Sequence, residues 1–153
     1  MSETAEIIGR DGGELDGFHI GHVPGDAGTE VSDFATEWDD VSFATRVWER
    51  QVDEGYRVDL RVHVLRGDQL TDLAALHDFL ADYHERDPAG EELAELPHPD
   101  GPGLIGTAEA FWLVEPGVAV DVLVDPERFD RAGLAATALA ISPAHAGDTA
   151  GSQ

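Results

Sequence analysis

Seven histidines in a chain without cysteine are the first residues that could hold a metal or move a proton. Three arrangements among them could matter: His19 with His22, His77 with His84, and His98 by itself. His19 and His22 flank Ile20 and Gly21 in glycine-rich sequence and lack a spaced third ligand of the zinc type. His77 and His84 stand seven residues apart, about two helical turns or ~10 Å of rise, too far to share one ion on a straight helix. His84, Glu85, Arg86 and Asp87 read as a charged helix end, where a protonated imidazole and a guanidinium suit the negative end of the dipole. There is no HEXXH pattern, and no metal or cofactor set is expected. Nucleophilic chemistry fares no better. Ser2, Ser32, Ser42, Ser142 and Ser152 lie in tails, strands or a helix end, with no GXSXG elbow. A phosphate loop of the GXXXXGK type is excluded because all nine basic residues are arginine. Arg66-Gly67-Asp68 matches an integrin tripeptide, but it directly follows a strand and carries no weight. No catalytic residue is expected.

The arginines offer more. Arg46, Arg50, Arg57, Arg61 and Arg66, five of the nine, fall within 21 residues, a slightly positive stretch in a strongly negative chain. Alternation places four of them with Trp48 on the polar side of a hairpin. One account is structural: Arg50 pairs with Asp59, and Arg61 lies over Trp48 as a cation–π contact of ~0.5–1 kcal/mol. The other is functional, a surface for an acidic peptide or a small anion formed by Arg46, Trp48, Arg50, Arg57 and Arg61. Trp112 is a further candidate, either a buried aromatic beneath the segment 89–106 or an exposed patch through which a partner or a second copy associates.

Composition bounds the setting. Thirty-two acids against nine bases leave a net charge of −23, a field of the wrong sign for DNA, RNA or an anionic membrane. A GC-rich genome and adaptation to high salt both produce this balance, and melting across a KCl series separates them. No run of about 18 apolar residues and no basic, apolar leader is present, so a cytoplasmic location is expected. At 153 residues one domain suffices, and a chain of this size buries roughly 68–70% of the surface it exposes when unfolded.

The elements that would position these residues follow from periodicity. Residues 1–16 and 143–153 read as disordered tails around a domain spanning 17–142, with weak strands from Phe18 to Val23 and from Val31 to Trp38. A hairpin over about 41–66 places Val41, Phe43, Thr45 and Val47 on one side of its first strand and Val58, Leu60, Val62 and Val64 on one side of its second. With Glu54 and Gly55 as turn centre, Val47 faces Val62, Trp48 faces Arg61 and Arg50 faces Asp59. A helix over about 70–86 carries Leu73, Leu76, Phe79, Leu80 and Tyr83, is capped by Thr71 or Asp68, and is ended by Pro88 and Gly90. The segment 89–106 reads as a long loop with one helical turn at Glu91 to Leu96. A second hairpin over about 108–125 turns at Pro116 and Gly117. It places Leu113 against Val120 and Trp112 against Asp121, and it is apolar on both sides, so a central, doubly covered place is expected. A helix over about 127–142 is opened by Asp125 and Pro126, or begins near Arg131, with Phe129, Ala132, Ala136 and Leu139 inward.

The expected fold is α+β, an antiparallel sheet of four to six strands with both helices on one face. This order of elements resembles the secretion-chaperone-like domains, departing from them by lacking a first helix and by a longer first hairpin. The resemblance implies a small acidic protein that binds other proteins. The expected function is a non-catalytic protein-interaction or regulatory module acting on a protein partner or by self-association. The alternative is a small-molecule or anion-binding domain using the Arg/Trp face.

Overall fold

The computed structural model describes residues 10–85 and 92–144. Seven strands form one antiparallel sheet: β3 (Glu30–Trp38), β4 (Val41–Val52), β5 (Gly55–Arg66), β6 (Ala94–His98), β7 (Gly101–Ile105), β8 (Glu109–Glu115) and β9 (Val118–Val124). Their spatial order is β3-β4-β5-β9-β8-β7-β6. A smaller sheet joins β1 (Gly13–Leu15), β2 (Phe18–Ile20) and β10 (Ile141–Pro143), with β2 in the middle. Two helices complete the mixed fold, α1 (Leu73–Tyr83) and α2 (Arg131–Leu139).

The helices lie on opposite faces of the large sheet, not together on one. Leu76, Phe79 and Leu80 of α1 pack with Phe43, Leu65, Phe111, Leu113 and Ala119. Leu134 and Ala138 of α2 join Phe18, Ile20 and Ile141 of the small sheet over Trp48, Leu60, Val62, Trp112, Val120 and Val122. The physical reason is the two-sided apolarity of β8 and β9, which stand inside the sheet and require cover on both faces.

Both hairpins differ in register from the sequence expectation. Val47 faces Arg61 and Trp48 faces Leu60, after which a bulge at Trp48/Glu49 leaves Asp59 without an opposite residue and pairs Arg50 with Arg57. Val47 and Val62 therefore point to opposite faces. The second hairpin slips likewise: Trp112 faces Val120 and Phe111 faces Asp121, with an irregularity between Leu113 and Glu115. Gly117, at φ 93, supplies the left-handed residue that a type II turn requires. Val41, Phe43, Thr45 and Val47 are all buried and so are Leu60, Val62 and Val64, with Val58 half-buried, but Trp48, Asp59 and His63 on the sides read as polar are buried as well. The two sets simply serve different cores, and where both faces are buried hydrophobicity no longer chooses the parity of pairing.

Other boundaries move for local reasons. The segment 94–105 is a hairpin, not a loop, with Pro97 directly opposite Pro102; Glu91 lies outside the described residues. Gly13–Leu15 is a strand, so ordered chain begins before residue 17. Asp72 caps α1 through Ala75 N, in place of Thr71 or Asp68, and Arg86 to Gly90, including Pro88, lie outside the described residues. Asp130 caps α2 through Gly133 N, so residues 127–130 precede the helix. Its inward residues are Leu134, Thr137 and Ala138, whereas Ala132, Ala136 and Leu139 are exposed. Residues 141–143 form β10 and do not extend the helix. Residues 1–9 and 145–153 lie outside the described residues. Among the described residues no helix is long and apolar enough to cross a membrane.

Candidate functional site

The Arg and Trp residues singled out by sequence are not gathered on one surface. Arg46 and Trp48 share the α2 side, where Trp48 is 3% exposed against Leu60. Arg46 grips Asp33 with Nε and Nη2, both at 2.7 Å, and gives Nη1 to Gly12 O at 2.7 Å. Those hydrogen bonds hold Asp33 below the usual carboxylate range. Arg61 faces Val47 and Leu123 on the α1 side, so it does not lie over Trp48. Arg50 and Arg57 oppose each other beyond the bulge. Their like charges are offset by Asp59, which accepts from Arg50 Nη1, and by Asp125, 3.4 Å from Arg57 Nη2. Trp112 is fully buried, stacked on His98 with ring centroids 4.0 Å apart.

At the outer edge of the sheet, all nine residues of β3 are exposed. Asp39 (φ 53) and Asp40 (φ 65) form a two-residue left-handed turn into β4, the arrangement of a type I′ hairpin. The pair flanking such a turn, Trp38 and Val41, is a hydrogen-bonded one, and bonded pairs alternate along the ladder. The N–H and C=O groups of Val31, Asp33, Ala35 and Glu37 consequently face outward. On the α1 side of the strand, Trp38 meets Phe79 and Tyr83 edge-on at 5.4 and 5.3 Å, yet Trp38 remains 37% and Phe34 48% exposed.

The third feature is internal. On the α1 side of β8 and β9, Glu109 faces Leu123 and Asp121 faces Phe111, which makes the two carboxylates diagonal neighbours. His84, the C-cap of α1, brings Nε2 to 3.4 Å from Glu109 Oε2 and 3.7 Å from Asp121 Oδ2. His63 lies across from Asp121 on β5, its Nδ1 2.8 Å from Thr45 Oγ1. Burial disfavours charge on His84, but the carboxylates of Asp121 and Glu109 outweigh it and push the imidazole up to about 9. Burial, with the Glu109 charge beside it, raises Asp121 well above the carboxylate range. Burial, aided by Arg61 and His84, pushes His63 down to about 3. Ligand atoms of His84, Glu109 and Asp121 all lie within 4.8 Å of one another.

Sequence reasoning placed His84 only at a charged helix end and gave Glu109 and Asp121 no role. The available signal was Asp121 itself, the single acid inside the apolar run Val118 to Val124. No protein-family model, curated protein or solved structure matches the chain.

Proposed function

We propose that the protein is a non-catalytic interaction module that takes an extended segment of a protein partner along the free edge of β3. The observation that carries this is a nine-residue edge strand, exposed throughout and paired with β4 without interruption. Edge strands are normally blunted by proline, charged side chains, a bulge or short length. β3 is long and has no proline, lysine or bulge, its only charges are carboxylates, and Val31, Phe34 and Trp38 are among the large apolar side chains left exposed. Strand addition supplies main-chain hydrogen bonds for affinity and alternate side-chain positions for selectivity. Glu30, Asp33 and Glu37 are the only charges on β3, and the chain carries −23 overall. The favoured partner strand is therefore apolar where it meets Phe34 and Trp38 and basic on its other side; a second copy of this chain is opposed by charge.

Ala35→Pro removes an outward N–H while sparing the ladder to β4, a place where a strand tolerates proline. Peptides selected from a displayed random library should alternate apolar and basic residues and lose at least about tenfold in affinity, ~1.4 kcal/mol, for Ala35→Pro and Phe34→Glu. Selected peptides without that alternation, bound equally by Ala35→Pro, contradict the reading.

A second reading, small-anion binding, is favoured by one observation. Arg57 and Arg61 line a common cavity of about 290 Å³ with Leu123 and Asp125. Phosphate binding abolished by Arg61→Ala selects it over strand addition.

A further inference from the structure

Asp121 is the one described carboxylate that is completely enclosed and accepts no hydrogen bond at either oxygen. Buried polar groups in folded proteins nearly always have a partner, so an orphan of this kind points to something the chain does not itself supply. Two more potential ligand atoms lie beside it. His84 Nε2 stands 3.7 Å from Asp121 Oδ2 and 3.4 Å from Glu109 Oε2. These separations are longer than good hydrogen bonds. They are close to the spacing of two ligands on one small cation, since bonds of ~2.0–2.2 Å at tetrahedral or octahedral angles set neighbouring donors roughly 3.0–3.5 Å apart.

The donor set selects the kind of ion. Two carboxylates balance a divalent charge, and an imidazole nitrogen suits first-row transition metals better than calcium or magnesium, which take oxygen. We propose that His84, Glu109 and Asp121 bind one divalent transition-metal ion of the zinc or manganese type, held between the C-terminal end of α1 and the β8–β9 pair. The ion clips α1 to the sheet at the end where Tyr83 stacks on Phe43, with ring centroids 4.6 Å apart. His63, across from Asp121, borders the site. Three ligands come from three separate elements, so the ion orders a tertiary contact and not a local loop. The proposal is independent of partner binding at β3.

The test uses the whole chain after chelator treatment, with excess magnesium present to occupy surface carboxylates. Cobalt(II) titration followed by visible absorption should show one equivalent bound, with d–d bands that reflect a nitrogen ligand, and zinc titration followed by calorimetry should show one equivalent. Zinc should raise the melting temperature. Asp121→Asn and His84→Gln should each weaken binding at least about 100-fold and abolish the melting shift. Asp121→Asn removes one of two carboxylates beside His84 and leaves the imidazole paired with Glu109, so this variant stays folded and keeps the test decisive if His84→Gln does not. Absence of a magnesium-resistant equivalent overturns the proposal. Zinc binding unchanged by Asp121→Asn also overturns it, showing attachment to surface acids only.

Discussion

Asp59 of β5 and Asp121 of β9 are both 0% exposed in the same sheet, and their surroundings are opposite. Asp59 occupies the bulge, and its oxygens accept from Gly28 N at 2.9 Å, from Arg128 Nη1 at 2.7 Å and from Arg50 Nη1. Its charge is spread over two guanidinium groups and a backbone amide, which joins β4, β5 and the segments before β3 and α2. Asp121 has no hydrogen bond of normal length; the His84 imidazole stands 3.7 Å away and the other close ionisable neighbour is the Glu109 carboxylate. The same side chain at the same burial is thus a keystone in one region and a poorly satisfied group in the other. Donors, not depth, decide which, because a buried charge is favourable only when hydrogen bonds and counter-charges replace its water.

The contrast is broken most severely at the satisfied end. Asp59→Ala strands Arg50 and Arg128 and empties the bulge, and is expected to cost about 3–5 kcal/mol in urea unfolding. Gly28→Ala comes next. A Cβ there would lie 2.0 Å from the Glu49 carbonyl carbon, so the segment must retreat and draw its N–H away from Asp59; about 1–3 kcal/mol should be lost in the same measurement. His98 gives the smallest effect and a control for buried histidine. Its Nδ1 accepts from Asp100 N and its Nε2 donates to Ala138 O, both at 3.0 Å, so the ring is held neutral. Burial lowers its pKa despite the Ala138 carbonyl and Asp100. Because the folded value lies below the unfolded one of about 6.5, its contribution is complete above that pH and is lost as pH falls below it. Melting temperature against pH should therefore fall less steeply on the acid side in His98→Gln than in the unaltered chain.

Much of the fold was legible strand by strand. Alternation marked β4, β5, β8 and β9, and the spacing of Leu76, Phe79 and Leu80 marked α1. What alternation did not carry was how strands meet. Val47 and Val62 are each apolar positions of their own strand, but with α1 on one face and α2 on the other both parities bury valines. The bulges at Trp48/Glu49 and Leu113/Glu115 then set the register without any glycine or proline within the bulge to announce them. The β6–β7 hairpin was hidden by its own punctuation, since Pro97, Pro99, Gly101, Pro102 and Gly103 read as loop. The internal site was hidden by distance: His84, Glu109 and Asp121 are separated by at least twelve residues, and only the true register makes the two acids neighbours.

Guanidinium unfolding of Asp121→Asn beside the unaltered chain, both freed of metal by chelation, tests most directly that Asp121 is retained against stability. The amide should unfold at higher denaturant, a gain of about 1–2 kcal/mol, because burial and the neighbouring Glu109 charge outweigh the His84 imidazole 3.7 Å away, and a neutral group of equal size escapes that penalty. A loss comparable to that of Asp59→Ala would show that Asp121 already has its partner within the chain, and would contradict the account.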